Sequence, residues 1–198
     1  MKIIAISGTP GTGKTSVSKK LSEIANAKFI SLNKLAVSEQ LTLKYDKKRD
    51  THVVDFKKLI PHVINQIESY KKTNIEFLLI ESHFSDIIPE KYIDYAIILR
   101  CNPDELYKRL EKRGYKKEKI IENVQSEILG NCANFFIEEQ IKSPIYEIDT
   151  TSLTIEAISK VIIDLINNNI KVEKYVIGKV DWLEFLAQED RIQEFFEK

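Results

Sequence analysis

Residues 8–15 read Gly-Thr-Pro-Gly-Thr-Gly-Lys-Thr, and this stretch decides the fold. It fits the pattern G-x-x-x-x-G-K-[S/T] at every position. An apolar run over residues 3–7 precedes it and predicts a buried strand. Apolar residues at spacings of three and four predict a helix over residues 14–26 after it. A strand, a glycine-rich turn and a helix in this order predict a loop that binds phosphate groups.

The side chains of this loop indicate what it binds. Gly11 and Gly13 let backbone N–H groups turn inward and form a concave site for an anion. We expect Lys14 to reach the β- and γ-phosphates, Thr15 to offer its hydroxyl to Mg²⁺ and Ser16 to touch the α-phosphate. The positive end of the helix faces the same phosphates. The motif therefore predicts binding of ATP with Mg²⁺, and it leaves the reaction open.

The rest of the chain alternates short β-branched runs with longer helical stretches, which predicts an α/β fold with a parallel sheet. Further strands are predicted at residues 28–31, 77–80, 96–99 and 145–148. Helices are predicted at about residues 34–40, 56–72, 104–112, 118–141 and 155–166. The connection from residue 32 to residue 55 is otherwise read as irregular, and long connections are often functional. With 198 residues, we expect one domain over 1–169 and a C-terminal extension over 170–198.

Composition excludes several classes of protein. Lys and Arg total 30, as do Asp and Glu, so no whole-molecule field favours nucleic acid or membrane, although a local basic patch stays open. No stretch approaches the roughly 18 apolar residues of a membrane span. Cys101 and Cys132 form no C-x-x-C pair, so we expect reduced thiols, with a disulfide as the alternative. We expect a cytoplasmic protein, or a nuclear one if the source is eukaryotic.

A carboxylate at the end of a neighbouring apolar strand often assists Mg²⁺ in such sites. Glu81 follows the run Phe-Leu-Leu-Ile and is our candidate for this role, with a solvated glutamate as the alternative. His83 follows two residues later and is a candidate for positioning a water or a phosphate oxygen. A structural loop histidine is the competing interpretation of His83.

Three arginines are candidates for stabilising the charge of phosphoryl transfer, because their planar fork matches phosphate oxygens. Arg100 ends a predicted strand, at the edge where open α/β sheets bind ligands. Arg109 and Arg113 lie one helical turn apart, and Gly114 follows Arg113 as the end of a mobile flap would require. For Arg109 the alternative is an ordinary solvated helix face.

Several stretches together resemble the adenylate kinase isoenzyme 6 family, a group of nucleoside monophosphate (NMP) kinase-like P-loop ATPases. The resemblance covers roughly residues 1–165. Besides the phosphate-binding loop, it rests on ESHF at 81–84 with IPE at 88–90, ILR at 98–100, LYKRLEKRGY at 106–115 and KIIENVQSEI at 119–128. The last two stretches are much more specific than the loop.

This resemblance implies a five-stranded parallel sheet, an NMP-binding segment over about residues 31–55 and a short lid over about 113–117. It implies adenylate kinase activity with broad nucleotide tolerance, and an ATPase activity coupled to maturation of small-subunit ribosomal RNA. The partner would be a platform protein of the small ribosomal subunit. We expect Lys14, Glu81, His83, Arg109 and Arg113 to be catalytic. Arg100 and Leu35 are the candidates for NMP binding.

The chain departs from the family pattern at two positions. The family usually has Asp-x-His where this chain has Glu81-Ser82-His83. It often has an arginine after Leu-Ala, where this chain has Val37. Two functions therefore stay open: a phosphotransferase that converts ATP and AMP into two ADP, and a partner-coupled ATPase with weak or no kinase activity. A third, a P-loop module that binds nucleotide without catalysis, is disfavoured by Glu81 and the arginines.

The C-terminal extension has no counterpart in this resemblance. It carries apolar side chains at helical spacing, namely Trp182, Phe185, Leu186, Ile192, Phe195 and Phe196. Packing on the chain's own surface is the first interpretation, and a contact with a partner or a second copy is the alternative.

Overall fold

A computed structural model describes residues 1–47 and 49–196, and its centre is a five-stranded parallel sheet. The strands are β1 Lys2–Ser7, β2 Ala27–Ser31, β5 Phe77–Glu81, β6 Tyr95–Arg100 and β7 Ile145–Asp149. Their order across the sheet is β2-β5-β1-β6-β7. The predicted fold class is therefore confirmed: a parallel sheet flanked by helices.

The register of the sheet brings the ends of the predicted strands together. Ile6 of β1 is paired with Glu81, and Glu81 is paired with Ser31 of β2 on its other side. The carboxyl ends of parallel strands share one edge of a sheet, which is where open α/β folds bind ligands. Glu81 thus lies beside the strand that feeds the phosphate-binding loop.

Helices cover both faces of the sheet. They are α1 Lys14–Ile24, α2 Leu32–Ser38, α3 Phe56–Tyr70, α4 Pro103–Lys112, α5 Lys117–Ile128, α6 Asn131–Glu138, α7 Ile155–Ile166, α8 Trp182–Gln188 and α9 Gln193–Phe196. Helices α1 and α7 pack on one face, and α2, α3 and α6 pack on the other. None of the helices in the described part of the chain is long and apolar enough to cross a membrane.

The connection between β2 and α3 contains more regular structure than its sequence suggested. It holds α2 and a two-stranded antiparallel hairpin, formed by β3 Thr42–Asp46 and β4 Thr51–Val54. Most side chains of β3, including Leu43 and Tyr45, are exposed. Apart from Val54 at its base, which packs against the core, the hairpin is largely exposed and has no buried face that would impose an alternating pattern.

The long helix predicted over residues 118–141 is in fact two helices. Gly130 lies between α5 and α6 with a φ of 66°, a left-handed conformation that ends a helix and that glycine adopts without penalty. The break turns α6 so that Phe136 reaches the core while Phe135 stays exposed. The other predicted helices are present, including α3 despite Pro61 near its start.

The C-terminal residues pack on the chain itself. Leu186 of α8 and Phe195 of α9 are buried against the apolar faces of α4 and α5, and Trp182, Phe185 and Ile192 are partly buried beside them. Phe196 remains exposed. Most of the predicted apolar stripe is thus covered by the chain's own helices.

Both cysteines are free thiols and are buried. Burial raises the pKa of Cys101 to about 12 and also raises the pKa of Cys132. Neither thiol is therefore prone to ionise near neutral pH.

Candidate functional site

A cleft of about 720 Å³ opens at the carboxyl edge of the sheet, within the size range of small-molecule sites. Its floor is formed by the phosphate-binding loop and the end of β5. One wall comes from α2 and the β3–β4 hairpin, and the opposite wall comes from α5 and α6. The hairpin also reaches across to α5, where Lys119 Nζ donates to Asp50 O at 2.9 Å and Arg49 Nε lies 3.2 Å from Glu122 Oε1. We call these two contacts the hairpin bridge.

The phosphate-binding loop has the backbone conformation that its glycines predict. Gly11 and Gly13 have φ angles of 104° and 103°, which favour glycine. A Cβ on Gly11 would lie 2.6 Å from Leu106 Cδ1, so a larger residue would strain the backbone and would force the side chain of Leu106 to move. Gly13 is the N-cap of α1 and has no side chain, so the first N–H groups of that helix stay available to an anion.

Lys14 is buried at the start of α1 and points back onto its own loop. Its Nζ donates to Gly8 O at 2.6 Å and to Thr9 O at 3.1 Å. Burial lowers the pKa of Lys14, and the nearby carboxylates of Glu81 and Glu127 oppose that effect. The ammonium group is thus hydrogen-bonded to two carbonyl oxygens, beside the place where phosphates would bind.

Thr15 and Glu81 form an oxygen-rich pair at the cleft. Thr15 Oγ1 donates to Glu81 Oε1 at 3.1 Å, and Glu81 is only 3% exposed. Hydroxyl and carboxylate oxygens are ligands that Mg²⁺ accepts, alongside water and phosphate oxygens. The described residues contain no group of three or more acidic, His or Cys side chains that could hold a metal by themselves. The pair therefore fits a Mg²⁺ ion that is carried mainly by the phosphates of a nucleotide.

His83 and Ser16 line the same cleft. His83 is exposed to solvent at the cleft, although protein atoms crowd one part of its ring, whose edge contacts the ring of Phe84 at 4.7 Å between centroids. Burial, and secondarily the charge of Lys14, lower the pKa of His83 to about 4. The ring is therefore neutral at physiological pH, and can orient a polar group but carries no charge to stabilise a phosphate.

The two arginines of the predicted flap have different surroundings. Arg113 is exposed, lines the cleft at the end of α4, and is followed by Gly114 with a φ of 75°. Arg109 is half-buried and is bound to the protein: Nε donates to Glu105 and Nη2 donates to the carbonyls of Thr150 and Thr151. The structure therefore places Arg113 at the cleft that contains the phosphate-binding loop, and holds Arg109 against the β7–α7 loop.

Arg100 and Leu35, the two residues expected to bind NMP, are not among the described residues that line the cleft. Arg100 is buried, and its guanidinium binds Glu127 at 2.8 Å and Glu147 at 2.5 Å. Although burial alone disfavours its charge, these carboxylates keep the pKa of Arg100 above its usual value. Leu35 packs against the hydrophobic core. Arg100 does not reach the cleft because its side chain is bound by the two buried carboxylates.

Other polar residues line the cleft that the sequence did not single out. They are Asn33, Thr51, Asn123, Gln125, Ser126 and Asn131. Lys34 and Arg49 also line it, and they add positive charge to the wall formed by α2 and the hairpin. Asn123, Gln125 and Ser126 belong to the stretch 119–128 on which the family resemblance rests, which was a signal for them, whereas the other residues come from segments whose placement depends on the fold.

Comparison with known proteins places the chain in a family. A family model described as AAA domain matches residues 4–130, more than half of the chain. A protein of Methanocaldococcus jannaschii named "Putative adenylate kinase" is 40% identical over 181 residues, covering 91% of this chain and 93% of the relative. A protein of the same name from Saccharolobus solfataricus is 33% identical over 196 residues, covering 99% and 93%.

Solved structures show the same fold at low sequence identity. Shikimate kinase from Acinetobacter baumannii superimposes with a TM-score of 0.60 at 15% identity, over 85% of this chain and 94% of that one. Deoxyadenosine kinase from M. mycoides superimposes with a TM-score of 0.53 at 20% identity, over 84% and 99%. With its loop, its sheet order and these relatives, the chain belongs to a family of P-loop proteins that are similar to nucleoside monophosphate kinases and that include the two archaeal relatives.

Proposed function

We propose that this protein is an adenylate kinase of broad acceptor tolerance, which transfers the γ-phosphoryl group of ATP to AMP and forms two ADP. The observation that carries this proposal is that one cleft has charged groups on two sides, and that the groups on each side suit a different phosphate-bearing ligand. One side holds Lys14, the Thr15–Glu81 pair and Arg113, which suit a triphosphate. The other side holds Lys34 and Arg49, which suit the phosphate of an acceptor.

The donor nucleotide would bind with its phosphates over the loop and the start of α1. Lys14 would exchange the Gly8 and Thr9 carbonyls for β- and γ-phosphate oxygens, so that its charge moves to where negative charge develops. Thr15 and Glu81 would hold Mg²⁺, Glu81 partly through water. Bound Mg²⁺ would supply charge neutralisation on the phosphate oxygens. Positioning and charge then suffice, and no covalent intermediate with the protein is needed.

We propose that residues 113–117 act as a lid and residues 31–55 as the acceptor-binding segment. Gly114 supports the lid role, because its left-handed backbone lies in open space and leaves Arg113 at a flexible corner. Closure over the phosphates would bring Arg113 to the transferred group and exclude water. The wall formed by α2 and the hairpin supports the acceptor role, since it faces the loop across the cleft.

A second candidate is ATP hydrolysis coupled to a protein partner, as the resemblance to the isoenzyme 6 family implies. Val37 favours it, because an exposed apolar side chain stands where that family often has an arginine for the acceptor. The partner would be a platform protein of the small ribosomal subunit, and the process would be maturation of its RNA. Water would then replace AMP as the attacking group.

A product assay separates the two candidates. Purified protein is incubated with Mg²⁺-ATP, with and without AMP, and ADP is quantified by chromatography. A kinase forms two ADP for each AMP consumed, whereas ADP formation that ignores AMP contradicts the kinase proposal. The partner proposal is tested by affinity purification, and it fails if no ribosomal protein or pre-ribosomal particle is recovered.

Lys14→Ala identifies the site that is responsible. We expect it to abolish both activities, by at least about a hundredfold, because one charge that stabilises the transferring phosphate is lost. Lys19→Ala on the exposed face of the same helix is the matched control and should retain activity. Turnover that persists in Lys14→Ala would contradict the proposed phosphate role.

A further inference from the structure

Glu127 is a buried carboxylate that joins two distant parts of the chain. It lies near the end of α5, and its two oxygens have different partners. Oε2 accepts a hydrogen bond from Thr9 Oγ1 at 2.5 Å, inside the phosphate-binding loop. Oε1 accepts from Arg100 Nε at 2.8 Å, from the backbone N–H of Cys101 at 3.0 Å and from Trp182 Nε1 at 3.3 Å, the last in the C-terminal extension. One carboxylate therefore contacts both the loop and the extension.

In the phosphate-binding loop, Thr9 contacts Lys14, the lysine that would hold the phosphates. Its carbonyl accepts from Lys14 Nζ at 3.1 Å and from Thr12 Oγ1 at 2.9 Å. Because the side chain of Thr9 is fixed by Glu127, the direction of this carbonyl depends on where the carboxylate lies. A shift of Glu127 would thus move one of the two carbonyls to which Lys14 Nζ donates, the other being that of Gly8.

On the other side, the extension is bound to the same buried charges at three points. Besides the indole of Trp182, the carbonyl of Val180 accepts from Arg100 Nη1 at 3.2 Å. The N–H of Gly178 donates to Glu147 Oε2 at 2.6 Å. Residues 178–182 therefore supply hydrogen bonds to the buried charged cluster and do not merely cover it.

The charges of this cluster do not balance by themselves. Arg100, Glu127 and Glu147 are 3%, 1% and 2% exposed, so one guanidinium faces two carboxylates away from water, and the buried ammonium of Lys14 is a further cation near Glu127. Buried carboxylates need hydrogen-bond donors in place of water. The donors include the indole N–H of Trp182 and the hydroxyl of Thr9. If the indole donor were lost, Glu127 would depend more strongly on its remaining hydrogen-bond donors. The hydroxyl of Thr9 is one of these donors.

We propose that Glu127 is a positioning residue for the phosphate-binding loop and that Trp182 holds it in place, so that the C-terminal extension sets the affinity of the loop for nucleotide phosphates. This inference rests on the proposed function, because it concerns the same nucleotide site. By thermodynamic linkage, a bond that alters nucleotide affinity is itself altered when the nucleotide binds.

The first test uses Trp182 as a natural probe, because it is the single tryptophan of the sequence. Its fluorescence is followed while Mg²⁺-ATP is added, and calorimetry measures binding in parallel. We expect an emission change that saturates with the calorimetric Kd in the unaltered protein. In Thr9→Val, which keeps the shape of the residue but removes the hydroxyl, binding should persist with a diminished emission change. Unchanged emission in a protein that calorimetry shows to bind ATP would overturn the inference.

The second test separates positioning from stability. Trp182→Phe keeps an aromatic ring but removes the donor, and we expect KM for ATP to rise by up to about tenfold, the scale of one hydrogen bond to a charged group. Phe195→Leu is the control, because it weakens packing of the same extension without touching Glu127. It should lower Tm and leave KM for ATP unchanged. Equal KM values in the two variants would overturn the inference.

A double variant decides whether both effects run through Glu127. If they do, Thr9→Val combined with Trp182→Phe should raise KM for ATP by less than the product of the single effects. Purely multiplicative effects would contradict a shared carboxylate. Should the unaltered protein bind no ATP at all, the proposed function fails; should it bind and turn over ATP while these variants behave alike, only the positioning role fails.

Discussion

Thr15 Oγ1 lies 3.1 Å from Glu81 Oε1 and donates a hydrogen bond to it, although 66 residues separate the two along the chain. Parallel pairing of β1 with β5 produces this contact, because the loop leaves β1 at the edge where β5 ends. The pair unites the hydroxyl that the loop motif supplies with the carboxylate that replaces the shorter aspartate of the resembling family.

Glu81→Gln tests whether this carboxylate serves Mg²⁺. We expect the Mg²⁺ concentration for half-maximal ADP formation to rise about tenfold or more, as for other residues that orient a metal's ligands. Activity is measured against free Mg²⁺ at saturating ATP. Glu76→Gln, one residue before the start of β5 and so beyond its opposite end, is the control and should leave the Mg²⁺ requirement unchanged. A lower rate with an unaltered Mg²⁺ requirement would contradict the role.

Val37→Arg tests the acceptor side of the cleft. Val37 is 49% exposed and lies one helical turn after Lys34, which lines the cleft. An arginine at this position should lower KM for AMP by about tenfold, because one charge-assisted contact with phosphate is added. KM for ATP should stay the same.

Ile24→Arg adds the same charge at another β-branched residue that is 49% exposed, at the end of α1 opposite to the end that lines the cleft. It is therefore the matched control for Val37→Arg. If both variants change KM for AMP equally, the effect is one of overall charge and residue 37 does not face the acceptor.

Asp86→Asn tests a buried acid away from the cleft. Burial, with smaller effects from Glu139 and Glu138, raises the pKa of Asp86 to about 6, and its Oδ1 has no hydrogen-bond partner among the described residues. The folded state thus favours the protonated acid, and the stability that this provides at pH 4 is lost as the pH rises through about 6.

The free energy of unfolding of the asparagine variant, relative to that of the unaltered protein, should therefore increase between pH 4 and pH 6. At pH 7 we expect it to be more stable by about 1 kcal/mol, since water screens a half-buried group in part. Urea unfolding at several pH values measures this. Glu173→Gln, at an exposed position, should show no such trend. A difference that does not vary with pH would contradict the explanation.

Leu186→Ala tests how much the C-terminal extension contributes to stability. Leu186 is fully buried, whereas Leu183 in the same helix is 40% exposed. We expect Leu186→Ala to lower the free energy of unfolding by about 2–4 kcal/mol, and Leu183→Ala by less than about 1 kcal/mol. Equal effects in thermal or urea unfolding would show that the extension does not pack as described.

The parts of the fold that local sequence determines could be predicted. The five sheet strands and the phosphate-binding loop carry their own signals, namely short apolar runs and an unbroken motif. The β3–β4 hairpin could not be predicted in this way, because both of its faces are largely free of the core. The break at Gly130 had a signal, since a glycine followed by asparagine favours a helix end, but the apolar spacing on both sides outweighed it.

The candidate site shows the same division. Lys14, Thr15, Glu81 and Arg113 were predicted, and the structure gathers them at one cleft because the motif and the strand ends fix their places. Arg100 was placed at the sheet edge by its position in the strand alone. Its buried partners lie 27 and 47 residues further along the chain, so no local pattern could reveal them.

The hairpin bridge has a consequence for access to the cleft. Arg49 and Glu122 are both more than half exposed, and contacts of this kind contribute about 0–1 kcal/mol each. Together with the bond from Lys119 to Asp50, they favour the bridged arrangement by at most about thirtyfold. Thermal motion alone would then part the two walls in at least about 3% of molecules, and added salt would increase that fraction. The fraction of molecules with an open cleft should therefore depend on ionic strength, whereas the positions of the phosphate-binding loop and the end of β5 beneath it depend on packing.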